Sequence, residues 1–149
     1  MPYNQTRHLQ VTPPIDTNAY TANDVVGGLL TFGNLESGGG GTIRSAYIVD
    51  THSEGADLTL YLFRSKPSTI NDDAAFAPTA DDLKKLVAIV AFAGSDFVTL
   101  NSMDWQRKLL DVSFEAGDEN ALYGYLVDGT GGTWAAANNL TIGVDVWAD

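Results

Sequence analysis

The sequence predicts an all-β domain, a two-sheet antiparallel sandwich of the jelly-roll kind. Three observations carry this. Apolar residues alternate with period two along most of the chain, while helical periodicity is nearly absent. The alternating runs are short and are separated by clusters of Gly, Pro, Asn and Asp. The runs number eight, which two sheets of four accommodate. Strand order is not readable from periodicity, so an immunoglobulin-like sandwich stays open beside the jelly roll.

The strands are expected near 5–11, 24–32, 42–50, 57–64, 86–93, 105–114, 120–127 and 139–148. The last is the clearest: Leu140, Ile142, Val144 and Val146 point one way and Thr141, Gly143, Asp145 and Trp147 the other, the mark of a strand with one buried face. Near 57–64 both faces are apolar, with Leu58, Leu60 and Leu62 against Tyr61 and Phe63, so that strand is expected to be covered on both sides. Leu86–Ala93 reads the same way and is placed centrally in a sheet, with Ile89 in the core. One short helix is expected near 80–85, because Thr79-Ala-Asp-Asp82 has the form of a capping box and Lys84 and Lys85 suit the negative helix end. Gly38–Gly41 reads as a flexible link or a place of close backbone approach. The polar segment Ser65–Pro78 reads as a crossover between the two sheets. Residues 1–18 form an N-terminal arm or edge strand, and 19–149 a single sandwich domain.

With 149 residues the chain is long enough to bury a core, and 44% apolar content opposes disorder. It has no cysteine, which removes disulfides, thiolate metal sites and cysteine nucleophiles. Eight Lys and Arg against 19 Asp and Glu give a formal charge of −11, without a basic run longer than Lys84-Lys85 or Arg107-Lys108, so neither nucleic acid nor an anionic membrane is an expected partner. The acids are scattered and read as a solvated surface. The opening Met1-Pro-Tyr-Asn-Gln-Thr-Arg-His8 has neither the basic nor the apolar region of a signal peptide, and the eight-residue apolar run Leu86–Ala93 is too short to span a bilayer as a helix.

Catalytic patterns are weak. His8 falls on the polar side of its strand. Asp50, His52 and Ser53 are the residue types of a hydrolytic triad, but near neighbours in sequence rarely converge on one atom and no Gly-x-Ser-x-Gly turn is present. Gly38–Gly41 leads into a strand rather than a helix, which excludes a phosphate loop. Asp50, Glu54 and Asp57, with Asp72 and Asp73, are the best oxygen donors for calcium, yet their spacing is not that of an EF-hand. The chain is therefore expected to be no enzyme and to need no cofactor or metal. The aromatics favour contact chemistry instead: Trp134 in a Gly-rich loop, Trp147 on the outward side of the last strand and Trp105 at a strand start suit either a sugar platform or a subunit interface. The candidate interface residues are Tyr3, Arg7, Pro13, Pro14, Tyr20, Trp134 and Trp147.

Several runs resemble a family of small structural proteins of tailed bacteriophages. They are Ala19-Tyr-Thr-Ala-Asn-Asp-Val-Val-Gly-Gly-Leu-Leu-Thr-Phe32, Gly39-Gly-Gly-Thr-Ile-Arg-Ser-Ala-Tyr-Ile-Val-Asp50, Leu58-Thr-Leu-Tyr-Leu-Phe63, Asn71-Asp-Asp-Ala-Ala-Phe-Ala-Pro-Thr-Ala-Asp-Asp-Leu83, Leu122-Tyr-Gly-Tyr-Leu-Val127 and Asn139-Leu-Thr-Ile-Gly-Val144. The resemblance covers about residues 9–149, least well at 101–119. It implies a virion component, made in the host cytoplasm, that decorates or cements the outside of the head shell. The expected partners are then the major capsid protein and copies of itself, a homotrimer being the arrangement shell symmetry favours. A head-fibre or tail-associated module and a glycan-binding sandwich are the alternatives.

Overall fold

The computed structural model describes residues 5–33, 35, 39–117 and 119–148. Among the described residues nine strands form: β1 Gln5–Val11, β2 Leu30–Phe32, β3 Gly40–Asp50, β4 Leu58–Phe63, β5 Leu86–Phe92, β6 Val98–Leu100, β7 Met103–Glu115, β8 Leu122–Asp128 and β9 Leu140–Ala148. They make two antiparallel sheets, of order β1-β9-β3-β7-β6 and β2-β8-β4-β5. The pairs β1·β9, β2·β8, β3·β7 and β4·β5 are those of one long hairpin with its tip at β4–β5. Rolling that hairpin adds β3·β9 and β4·β8. This is the jelly-roll path, and β6 is an addition to it. Between the sheets lie Leu9, Phe32, Ile43, Ile48, Leu58, Leu60, Leu62, Val90, Phe92, Leu126, Leu140, Ile142, Val144 and Val146.

Three expectations change. Segment 64–85 is no crossover, because β4 and β5 are antiparallel neighbours in one sheet. Instead it folds over the outer face of that sheet, stacking Phe76 on Tyr61 with ring centroids 4.5 Å apart and accepting the Tyr125 hydroxyl at Ser68 O. This explains why β4 is apolar on both faces and why every residue of β8 is buried. Second, β5 is the edge of its sheet rather than its centre, and Ile89 is 57% exposed. Third, the strand near 24–32 shrinks to Leu30–Phe32, with Val25 making only an isolated bridge to Val127.

Local signals fare better. The helix (α1, Ala80–Leu83) is one turn long, and its capping box is complete: Thr79 Oγ1 accepts from Asp82 N at 3.1 Å and Asp82 Oδ2 accepts from Thr79 N at 2.9 Å. Gly40 and Gly41 begin β3 where backbones approach closely, since a Cβ on Gly40 would lie 2.4 Å from Phe114 O. β6 went unread because Asn101-Ser102 does not announce a hairpin. Both residues take positive φ, 49° and 62°, as a two-residue primed turn demands.

Candidate functional site

Loop 64–85 covers the four-stranded sheet. Among the described residues nothing covers the outer face of the five-stranded one. Strand β7 shows the consequence. Its side chains alternate, with Met103, Trp105, Arg107 and Leu109 outward and Asp104, Gln106, Lys108 and Leu110 inward. The first half is thus inverted, polar inside and mostly apolar outside. Most of the inner polar groups find partners: Asp104 accepts from Ser53 Oγ at 2.8 Å and Thr99 Oγ1 at 2.7 Å, Gln106 Nε2 donates to Ala93 O at 2.8 Å while its Oε1 is buried without a hydrogen-bond partner among the described residues, and Lys108 Nζ reaches Asp96 at 3.2 Å. The outer apolar groups are left to solvent. Register sets Val98 and Val49 beside Trp105 and sets Leu100 beside Met103. Val49, Leu100, Met103 and Trp105 line an apolar depression of about 370 Å³.

The rest of the face is aromatic and cationic. The Arg107 guanidinium lies 5.4 Å from the Tyr47 ring centroid and 5.8 Å from that of Trp105. The Tyr47 ring rests on Gly143, where an added Cβ would fall 2.0 Å from its Cε1, so only glycine leaves it room. A register shift between Ile43 and Ser45 throws Arg44 onto this face, 5.6 Å from the Trp147 ring and 3.7 Å from Asp111. At the centre Asp145 accepts from Ser45 Oγ at 2.7 Å and from His8 Nδ1, with Arg107 at 3.8 Å. Burial pushes the Asp145 carboxyl up, but those hydrogen bonds and the His8 and Arg107 charges outweigh it and hold the group below the usual carboxylate range. Trp, Tyr, Met and Arg on one sheet face are the composition of an interface core.

The residues predicted from sequence are not brought together. Trp147 is on this face and 43% exposed. Trp134 is 1% exposed and Tyr20 is 3% exposed. Their rings meet edge-on at 5.7 Å, inside the protein, so they are core and not a platform. Trp134 Nε1 donates to Asp50 at 3.0 Å, while the Tyr20 hydroxyl donates to Asp72 at 2.8 Å and accepts from Asp16 N at 2.7 Å. Pro13 is buried against Gly27 and Pro14 is exposed. Arg7 sits opposite Val146 on β1, an edge strand of its sheet. Tyr3 lies outside the described residues. Sequence reading missed Tyr47, Arg44, Arg107 and Leu109. The alternation of β7 was a usable signal, but alternation does not say which face is wet.

The acids are not all solvated. Asp50, Asp82, Asp104, Asp128 and Asp145 are buried. Asp50 accepts from the backbone N–H groups of His52, Ser53 and Glu54 as well as from Trp134, and Asp128 accepts from those of Thr130, Gly131 and Gly132. These carboxylates order loops. The proposed calcium donors are committed likewise: Glu54 accepts from Thr133 N, Asp57 from Gly94 N, and Asp72 from Tyr20 and Gly27. The triad geometry is also missing, since Ser53 Oγ donates to Asp104 while the His52 ring faces Glu54 at 3.6 Å.

No protein-family model matches the chain, and no curated protein matches it. Among solved structures, the chain resembles one of tomato aspermy virus, with 9% identity and a TM-score of 0.41, covering 97% of this chain and 76% of that one. It also resembles the K3 cleaved adhesin domain of Lys-gingipain from Porphyromonas gingivalis, with 13% identity, a TM-score of 0.32 and coverage of 80% and 62%. A full particle of Israeli acute paralysis virus heated to 63 degrees gives 10% identity, a TM-score of 0.32 and coverage of 97% and 69%. TM-scores below 0.5 at such identities establish nothing about function.

Proposed function

We propose that this chain is a virion structural protein that attaches to the outside of a tailed-phage head shell and cements it, with no catalytic role. The observation that carries the reading is the inverted half of β7, which sets Met103, Trp105 and Leu109 outward on a sheet face that nothing in the described chain covers. An unpartnered face of this composition suits broad contact with a flat protein surface. Support comes also from the resemblance to phage structural proteins and from the jelly-roll path, an architecture shared by viral capsid and lectin domains. Fold alone does not assign function, so the weight rests on the face. In a chain of charge −11, Arg44 and Arg107 on this face soften the repulsion that neighbouring copies would feel.

The lectin reading has the exposed rings of Trp105 and Trp147 in its favour. Against it, the depression beside Trp105 is apolar, and its one polar group, Asp104, is already held by Ser53 and Thr99. A sugar site needs convergent polar groups for hydroxyls.

The test is reattachment of purified protein to stripped particles. Trp105→Ala should weaken binding by roughly tenfold or more, as for a buried aromatic anchor, while leaving the melting temperature nearly unchanged. Particles without the protein should assemble and then release DNA at lower temperature. Stripped particles that resist heat as intact ones do, yet fail to adsorb to cells, overturn the shell reading in favour of host binding.

A further inference from the structure

We infer that two copies of this chain pair through the free edge of β7, antiparallel about a twofold axis at Leu109. The observation is an edge left half finished. β6 pairs with Met103–Trp105 only, and among the described residues no strand pairs with the same edge of β7 beyond Trp105. A row of backbone donors and acceptors is therefore unmatched, the usual template for adding a strand. Apolar side chains flank it. Leu109 is 84% exposed, and Leu86, Val87, Ala88, Ile89, Leu110 and Val112 line a groove of about 400 Å³ where the sandwich is open between β5 and β7. Lys108, an inward lysine of the type that blunts an edge, is drawn aside to Asp96.

Register selects a second copy as the occupant. A twofold axis normal to the sheet keeps every side chain on its own face, so outward residues meet outward residues. Centred on Leu109, the pairing sets Leu109 against Leu109 of the second copy and sets Arg107 against its Asp111, twice by symmetry. Centring on Lys108 would oppose two lysines, and centring on Leu110 would set Leu109 against Asp111 and Arg107 against Ser113. Of these three, the Leu109 register alone matches charge and apolar surface on the outer face, with Lys108 falling opposite Leu110 on the inner one. β6 limits the pairing to Gln106–Val112, a strand of ordinary length. The same axis brings the two bare outer faces to one side, doubling the exposed sheet face described above. The inference goes beyond the shell reading and is tested without any shell.

The chain has no cysteine, so Leu109→Cys introduces a single thiol. Opposed residues in an antiparallel pair lie about 4.5–5.5 Å apart at Cα, within disulfide reach. Under mild oxidation this variant should cross-link to a dimer much faster than Leu83→Cys, an exposed control off the edge. Sedimentation velocity of the unmodified protein should give a dimer. Asp111→Arg and Arg107→Asp should each weaken it by roughly tenfold, and an equimolar mixture of the two should form a heterodimer, because every opposed pair is then complementary. A monomer or a trimer in sedimentation, cross-linking no faster than the control, or a mixture as weak as its components overturns the inference.

Discussion

Replacing Asp50 by Ala should be among the most damaging single changes in the chain, although the residue lies where a strand runs out into a polar loop. Asp50 is 1% exposed and takes four hydrogen bonds, from His52 N at 2.9 Å, Ser53 N at 3.2 Å, Glu54 N at 3.0 Å and Trp134 Nε1 at 3.0 Å. Truncation strands the indole N–H inside the protein, which costs about 1–3 kcal/mol. The three backbone donors sit in an exposed loop and recover water, so their loss resembles that of a helix cap, about 1 kcal/mol. A void of carboxylate size adds about 1 kcal/mol. The sum is about 4 kcal/mol, or a fall in melting temperature of about 10 °C for a domain of this size. Trp134→Phe removes the donor but leaves Asp50 its backbone partners, so it should cost about 2 kcal/mol. Urea denaturation followed by far-ultraviolet circular dichroism on both single variants and the double variant closes a thermodynamic cycle, with a coupling of about 1.5 kcal/mol expected. A loss under about 1 kcal/mol for Asp50→Ala, or coupling below about 0.5 kcal/mol, refutes the reasoning.

Three further outcomes follow from the same geometry. The Asp82 carboxyl, pushed up by burial but more strongly lowered by hydrogen bonds from Ser68 and Thr79, sits below its usual range, as does Asp145. Groups lowered in the folded state contribute fully above about pH 4, the unfolded value, and lose that contribution as pH falls through the folded value. Urea midpoints measured from pH 5 to 2 should therefore fall, and fall less steeply in Asp82→Asn and Asp145→Asn. Asp73 behaves oppositely: desolvation and the carboxylates of Asp24, Asp72 and Asp16 raise it, so its charge opposes folding at pH 7. Asp73→Asn, at a residue with φ of 66° that asparagine tolerates well, should raise the melting temperature at pH 7 and not at pH 3. Gly27 has φ of 90°, and a Cβ there would lie 2.5 Å from Pro13 Cβ, so Gly27→Ala should cost about 2 kcal/mol or more in the same urea assay.

What the sequence determined by itself was local. The alternation of Leu140, Ile142, Val144 and Val146 names the core face of β9, because side chains on a pleated strand have no other way to segregate. The Thr79–Asp82 box names a helix start, because both partners lie within one turn. Asp50 and Asp128, each followed by small and polar residues, carried a turn signal whose depth of burial the chain could not announce. What tertiary structure decided was everything that depends on a partner distant in sequence. Leu86–Phe92 has the composition of a central strand and lies at an edge, since pairing order is set by how the long hairpin rolls. Tyr61 and Phe63 found cover in Phe76 and its loop, whereas Trp105 and Leu109 found none. Period two divides a strand into two faces, and only the fold settles which of them meets protein and which meets water.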